Sequence, residues 1–483
     1  MYRKLIVTIL TIAVIFAMTL STEFVYAEDV VETTEPEGIP IYTAKDLLGL
    51  KDKDGTYYLA NDIDMKEYPN CSINFFSGIL NGNGYTIYNY TVDENFDNVN
   101  NTPFYDRSIR IGLFQELYNA SIKNLSLKNI NINYTVKDSR YTCISTLGQA
   151  TNVVHFENVV VSGNINVKVN TDRNHVTIEG MLQNSNDYGI FEKCVSDVDI
   201  NCEVLDGKIG NLSVMGMSNL NCDSETKMKE CLNTGDIKVI VHEPAKVEKI
   251  SCNGLFFHLD TYMDNLISCG NTGNISVENY GQIKNTLYIG GIANCTNSIS
   301  KCYNKGNINV KGRFRNIYIG GMTSTSVSKV SQSYNKGNIS LDLTANPEEN
   351  KVFVSGLSGH VKKSIGNSYN AGKITVTGKW NGGYVTGLID TCDTKCKISS
   401  CYNSGKITLP SGVKYGSIAR KKNGTLKNNY FCRGKAFISG TAKSSQAMKV
   451  DAISKKNCSG LSSDYWTYSK SKKRMILKNN KEI

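Results

Sequence analysis

Signatures of catalysis are what this chain of 483 residues has least of. Its five histidines, His155, His175, His242, His258 and His360, are scattered along the sequence, and neither HExxH nor GxSxG occurs. Those absences exclude the linear motifs of zinc proteases and of the serine-hydrolase elbow. No helical period runs between the apolar segments, which argues against an α or α/β fold. Beyond residue 27 no apolar run approaches the roughly 20 residues of a membrane-crossing helix, so no transmembrane anchor is expected. No cysteine follows the first apolar run as lipid attachment would require, and no sortase-type carboxy terminus is recognisable. Basic residues occur without any nucleic-acid recognition motif, so nucleic acid is not an expected partner.

What is present begins with an export signal. Residues 1–27 read as a Sec signal peptide, with Arg3 and Lys4, an apolar run over 5–18, and Val25, Tyr26 and Ala27 at the cleavage site. Residues 28–40, EDVVETTEPEGIP, read as an acidic linker. The expected location is secreted or extracellular, with non-covalent attachment to a cell wall as a variant. The formal charge of +10 hides an asymmetry: 413–483 hold 17 basic and 3 acidic residues, a net +14, whereas 28–412 carry about −5. Such a tail suits an anionic cell-wall polymer or acidic glycan, with Lys470, Lys472, Lys473 and Arg474 as its densest cluster; a solvated charged face is the alternative.

Between residues 231 and 409 one nine-residue unit recurs six times. The copies are CLNTGDIKV, CGNTGNISV, CYNKGNINV, SYNKGNISL, SYNAGKITV and CYNSGKITL, starting at Cys231, Cys269, Cys302, Ser333, Ser368 and Cys401 with steps of 38, 33, 31, 35 and 33 residues. A period in that range signals a solenoid or array. Alternation at Ile308, Asn309 and Val310 is that of a half-buried strand, and the preceding Asn-x-Gly predicts a sharp corner of positive φ. A further strand precedes each unit, as in YIGGI ending at Ile292 and YIGGM ending at Met322. Three strands per repeat predict an all-β fold, a right-handed parallel β-helix of about 11 three-strand coils with capped ends. Asn233, Asn271, Asn304, Asn335, Asn370 and Asn403 should then stack in a hydrogen-bonded ladder.

These residues resemble the secreted bacterial repeat proteins that carry the GLUG motif, in which Y-x-G-G-hydrophobic is followed by C-Y-N-x-G-x-I. YIGGIANCTNSISKCYNKGNINV, ending at Val310, is such a copy. The opening segments IYTAKDLLGL, GTYYLANDIDM and FSGILNGNGYTIYNYTV also resemble that group and the related pectate-lyase-like β-helices. Asn81 stands where the opening motif has an acid, coils 137–230 are degenerate, and Val198 falls where a corner glycine belongs. The resemblance implies a cap and first coils over 41–136, GLUG-like repeats over 137–440 and a basic cap or tail over 441–483. It implies surface interaction rather than a named activity.

Candidate sites are few. Tyr303, Tyr334, Tyr369 and Tyr402 form a column beside the asparagines: exposed, it would be a platform for sugar rings; tucked in, it is packing. Asp62 and Asp64 with Asn61 could share a calcium ion or satisfy strand edges at the cap. Cys392, Cys396, Cys401 and Asp393 have some character of a metal site but lack a nearby histidine, so an inserted corner is the competing reading and no metal or cofactor is expected. Exchange of Cys with Ser in the repeats favours buried thiols among the 15 cysteines, with a Cys269–Cys302 bridge as the alternative. The clustered acids of polygalacturonases and pectate lyases are not found in any one linear segment. The expected function is therefore a non-catalytic adhesion or glycan-binding scaffold, with polysaccharide or a host or bacterial surface as partner. A polysaccharide lyase or glycoside hydrolase assembled from neighbouring coils, and a structural stalk, are the alternatives.

Overall fold

Alternating burial carries the repeats into strands: in Ile308–Gly312, Ile308 and Val310 point into the core while Asn309 and Lys311 face solvent. The computed structural model describes residues 36–480 except 51–53, 97–107, 138–140, 185–188, 221–226, 258–264, 282–284, 345–349, 379 and 479. The expected signal peptide, most of the acidic linker and His258 lie outside the described residues. Within Glu37–Asn480 the chain is an all-β parallel solenoid. One turn of a repeat runs from a third sheet (Thr286–Gly290) to a first (Thr296–Ser300), then to a second (Tyr303–Asn304 and Ile308–Gly312). Each strand pairs in parallel with its counterpart one coil on, as Tyr288 with Tyr318 and Ile308 with Ile339. Apolar side chains from all the walls fill one continuous core.

The third sheet counts one strand to each coil that has all three walls. The ladders are unequal: the first sheet has 14 strands and the third 11. Ile39–Ile41, Thr56–Leu59 and Ile79–Asn81 all precede Ser108–Ile111, the first described strand of the third sheet, so among the described residues the opening coils have no strand in that wall. A five-residue helix, Ala44–Leu48, sits there instead. Thr43 caps it by accepting from the Asp46 amide at 3.2 Å, and Leu47 is buried against the stack.

The expected asparagine ladder is continuous. Asn233, Asn271, Asn304, Asn335 and Asn370 each donate through Nδ2 to Oδ1 of the next, at 2.8–3.0 Å, ending on Asn403. The same amides donate to the carbonyl of the glycine two residues on, at 2.9–3.1 Å. All six side chains are buried, so the ladder satisfies groups that would otherwise be costly.

The backbone reason for the motif's glycine differs from the expected one. Positive φ falls on the residue before each Cys or Ser, at Glu230, Ser268, Lys301, Gln332, Asn367 and Ser400, and not on the Asn-x-Gly. Gly306 is required by close approach: a Cβ there would stand 1.8 Å from the carbonyl oxygen of Gly273. Gly291 of YIGG is held likewise, since its Cβ would meet Asn304 Cγ at 2.6 Å. The asparagine ladder thus occupies space that the YIGG glycines leave open, which links the two halves of the motif. Cys and Ser exchange because thiol and hydroxyl make the same bond, to the carbonyl two residues back: Cys302 Sγ to Ser300 O at 3.3 Å and Ser333 Oγ to Ser331 O at 2.7 Å.

Where the corner motif is missing, the strand runs on. Ser126–Val136, Val160–Asn170 and Val195–Asp206 are 11, 11 and 12 residues long, and Val198 aligns with Gly163 below it. A Cβ on Gly235 would meet Val198 O at 2.1 Å, which places Val198 directly under the first corner glycine.

Candidate functional site

The four tyrosines expected as a sugar platform do stack, one ring per coil. Centroids lie 5.6 Å apart for Tyr303 and Tyr334, 5.1 Å for Tyr334 and Tyr369, and 4.6 Å for Tyr369 and Tyr402. They are nevertheless buried, because the C-terminal segment folds back over them. Trp466 packs against Tyr369 and Tyr402, its Nε1 donates to Asn367 Oδ1 at 3.1 Å, and the Tyr402 hydroxyl donates to Met475 O at 2.7 Å. Asn480 Nδ2 reaches Gln332 O at 2.7 Å. Of the two readings, the column is packing, and a sugar ring has no access to it in this arrangement.

The same segment sorts the basic cluster. Trp466–Ser469 and Arg474–Leu477 form an antiparallel hairpin with Lys470 and Lys473 exposed at its tip. Arg474 turns inward instead, its guanidinium 5.4 Å from the Tyr369 ring centre, and Lys472 is half-buried.

The other candidates are spent locally. Asp62 accepts the Thr86 amide at 2.9 Å, and Asp64 accepts the Lys66 amide at 3.0 Å and Asn89 Nδ2 at 2.8 Å, as strand-edge satisfaction requires. Among the described residues no group of three or more His, Cys, Asp or Glu is placed to hold a metal ion, the Cys392, Cys396, Cys401 and Asp393 group included. All 14 described cysteines are free, Cys269 and Cys302 among them, and 12 are buried. Burial pushes the Cys401 thiol up to about 12, which keeps it protonated and inert.

A second aromatic column, not anticipated from the sequence, lies on the outer face of the third sheet. Tyr288, Tyr318, Phe353 and Tyr384 are in register on successive coils. Their centroids are 5.1, 5.0 and 6.2 Å apart, the first two pairs nearly coplanar at 10° and 6°. Lys249 Nζ lies 5.3 Å from the Tyr288 ring centre and Arg420 Cζ 4.6 Å from that of Tyr384. Most ring faces are therefore occupied by neighbours, and the column presents ring edges to solvent, with Tyr384 the most open at 37%. A parallel row of Thr286, Asn316 and Lys351 runs beside it, two residues earlier on the same strands. The sequence signal was there, in the aromatic of YIGG, YIGG, VFVSG and YVTG, but strand alternation had to be assigned to a face before it could be read.

Beneath the third sheet's end Arg420 Nε approaches Asp390 Oδ1 at 3.5 Å. Burial raises the Asp390 carboxyl to about 6, against the opposing pull of Arg420. His360 Nε2 lies 2.9 Å from Asp393 Oδ1 in the adjoining corner.

One cleft, about 320 Å³, opens on the second sheet between Glu94, Lys168 and Glu203. Thr135, Lys168 and Glu203 are in register on three coils, and Asn133, Asn166 and Asn201 form an amide ladder alongside, at 2.8 and 3.1 Å. Glu94 pairs with Lys137 at 3.3 Å and Glu203 with His242 at 3.4 Å. Both carboxylates are about half exposed.

Comparisons with protein-family models, with curated proteins and with solved structures find no match.

Proposed function

We propose that the chain is an exported, non-catalytic β-solenoid that binds extended polysaccharide along its outer sheet faces. What supports this is the third-sheet column, in which ring edges recur once per coil, three of the four with a phenol hydroxyl, beside Thr286, Asn316 and Lys351. A ligand that repeats along its own axis can engage such a row several times over, and weak contacts then sum. Because the ring faces are occupied, recognition here works through hydrogen bonds to sugar hydroxyls and apolar contact with ring edges, rather than through broad face stacking. The GLUG resemblance, the export signal and a surface location belong to the same reading, with Lys470 and Lys473 supplying contact to an anionic wall polymer.

Native gels cast with a panel of polysaccharides, then stained for polymer, test this reading. Retardation of the full chain by at least one polymer, reduced in Tyr318→Ala and Tyr384→Ala, is expected, with the polymer intact. Loss of polymer around the band would overturn the non-catalytic reading. The glycosidase alternative has one specific feature in its favour, the gathering of Glu94, Lys168 and Glu203 around a single cleft. Were polymer lost, Glu203→Gln would show whether that cleft is responsible.

A further inference from the structure

Cys392 and Cys396 stand on either side of one corner of the stack. They flank the corner between Ile389–Cys392 and Lys397–Ser399, a tight turn closed by the Cys396 amide donating to Asp393 O at 3.0 Å. The Cys396 thiol reaches Lys397 O at 3.9 Å, and each thiol shifts the acidity of the other. The two differ in access. Cys392 forms part of the wall of a surface cavity of about 390 Å³, shared with Lys362, Asp393, Lys395 and Asn423, whereas Cys396 is fully buried behind it. The strands on either side are fixed: Cys392 and Asn423 bind reciprocally, through Sγ to the Asn423 carbonyl at 3.4 Å and Asn423 Nδ2 to the Cys392 carbonyl at 2.6 Å, and the Thr425 amide holds Cys396 O at 2.8 Å.

We propose that Cys392 and Cys396 are a thiol–disulfide exchange site, closed to an intramolecular disulfide by a small-molecule disulfide entering the Lys362–Lys395 cavity. Cys392, as thiolate, attacks one sulfur of the incoming disulfide, whose S–S bond breaks and whose other half leaves as a thiolate. A mixed disulfide then occupies the cavity. Cys396 loses its proton to water, attacks Cys392 Sγ and expels the second half of the reagent. In sum two protein thiols lose two hydrogens and one external disulfide is reduced to two thiols. Access assigns the roles: Cys392 lines the cavity and meets the reagent first, while Cys396, buried behind it, resolves the mixed disulfide. The lysines at the cavity mouth favour anionic disulfides such as oxidised glutathione. Closure would tie down the corner that carries Asp393 and its contact with His360.

The test incubates the full chain in glutathione buffers of graded redox poise, blocks remaining thiols with N-ethylmaleimide, and maps the digest by mass spectrometry. The expected result is that the peptide holding both residues loses two hydrogens and escapes blocking before any other cysteine pair does. Cys396→Ser should retain one glutathione on Cys392, and Cys392→Ser should leave Cys396 unmodified. The proposal is overturned if the pair stays fully blockable at poises where half-buried Cys71 and Cys432 carry glutathione, or if Cys392→Ser leaves oxidation at Cys396 unchanged. Because the wild-type digest decides the first point, misfolding of a variant would not leave the proposal untested.

Discussion

At the scale of single residues, the solenoid rests on positions where one atom too many or one bond too few is felt by the coil next to it. Asn304 accepts from Asn271 and donates to both Asn335 and the Gly306 carbonyl. Asn304→Ala strands Asn335 Oδ1 and Gly306 O in the interior, and a loss of about 2–4 kcal/mol in unfolding free energy by urea titration is expected from two orphaned acceptors. Gly306→Ala should be worse tolerated than an ordinary surface substitution, since its Cβ meets backbone rather than a movable side chain. Asp390 gives a prediction in pH. Its carboxyl titrates at about 6 in the fold and at 3.8 when exposed, so between those values the folded state holds more protons than the unfolded one. Stability from this group is thus greatest below pH 3.8 and falls as pH rises to about 6. Asp390→Asn should flatten that part of the pH–stability curve measured by denaturant titration; an unchanged slope would contradict the assignment.

At the scale of elements, the C-terminal hairpin acts as a cover over the tyrosine column. Removing the Trp466 side chain takes away the contact with Tyr369 and Tyr402 and should cost about 3–5 kcal/mol, as for other large buried aromatics. Tyrosine fluorescence and quenching by iodide would report the newly opened column. Much of this level was legible in the sequence: strand, corner and return path all follow from the spacing of Asn, Gly and Ile, and the asparagine ladder follows from their register. Three things were not. The left-handed residue precedes the motif at positions as different as Glu230 and Gln332, so composition does not mark it. The cover over Tyr303–Tyr402 is a contact between segments far apart in the chain, such as Asn480 with Cys302. Which aromatic column faces solvent depends on that cover, and no local pattern encodes it.

At the scale of the whole molecule, parallel stacking converts a short motif into rows of identical chemistry, and both proposed modes of contact with the outside follow from it. The outer column spans four coils, while the hairpin tip exposes Lys470 and Lys473. Replacing both lysines by Gln should weaken retention on an anionic polymer, most at low salt, while leaving a neutral glycan's binding unchanged. Among the described residues no helix is long and apolar enough to cross a membrane. The most direct measurement is calorimetric titration of the full chain with oligosaccharides of increasing length cut from a polymer that retards it. Affinity should climb with each added sugar until the oligomer spans the four rings from Tyr288 to Tyr384, then level off, and Tyr318→Ala should shorten the climb. Affinity independent of length, or unchanged in Tyr318→Ala, would contradict a ligand lying along the ladder.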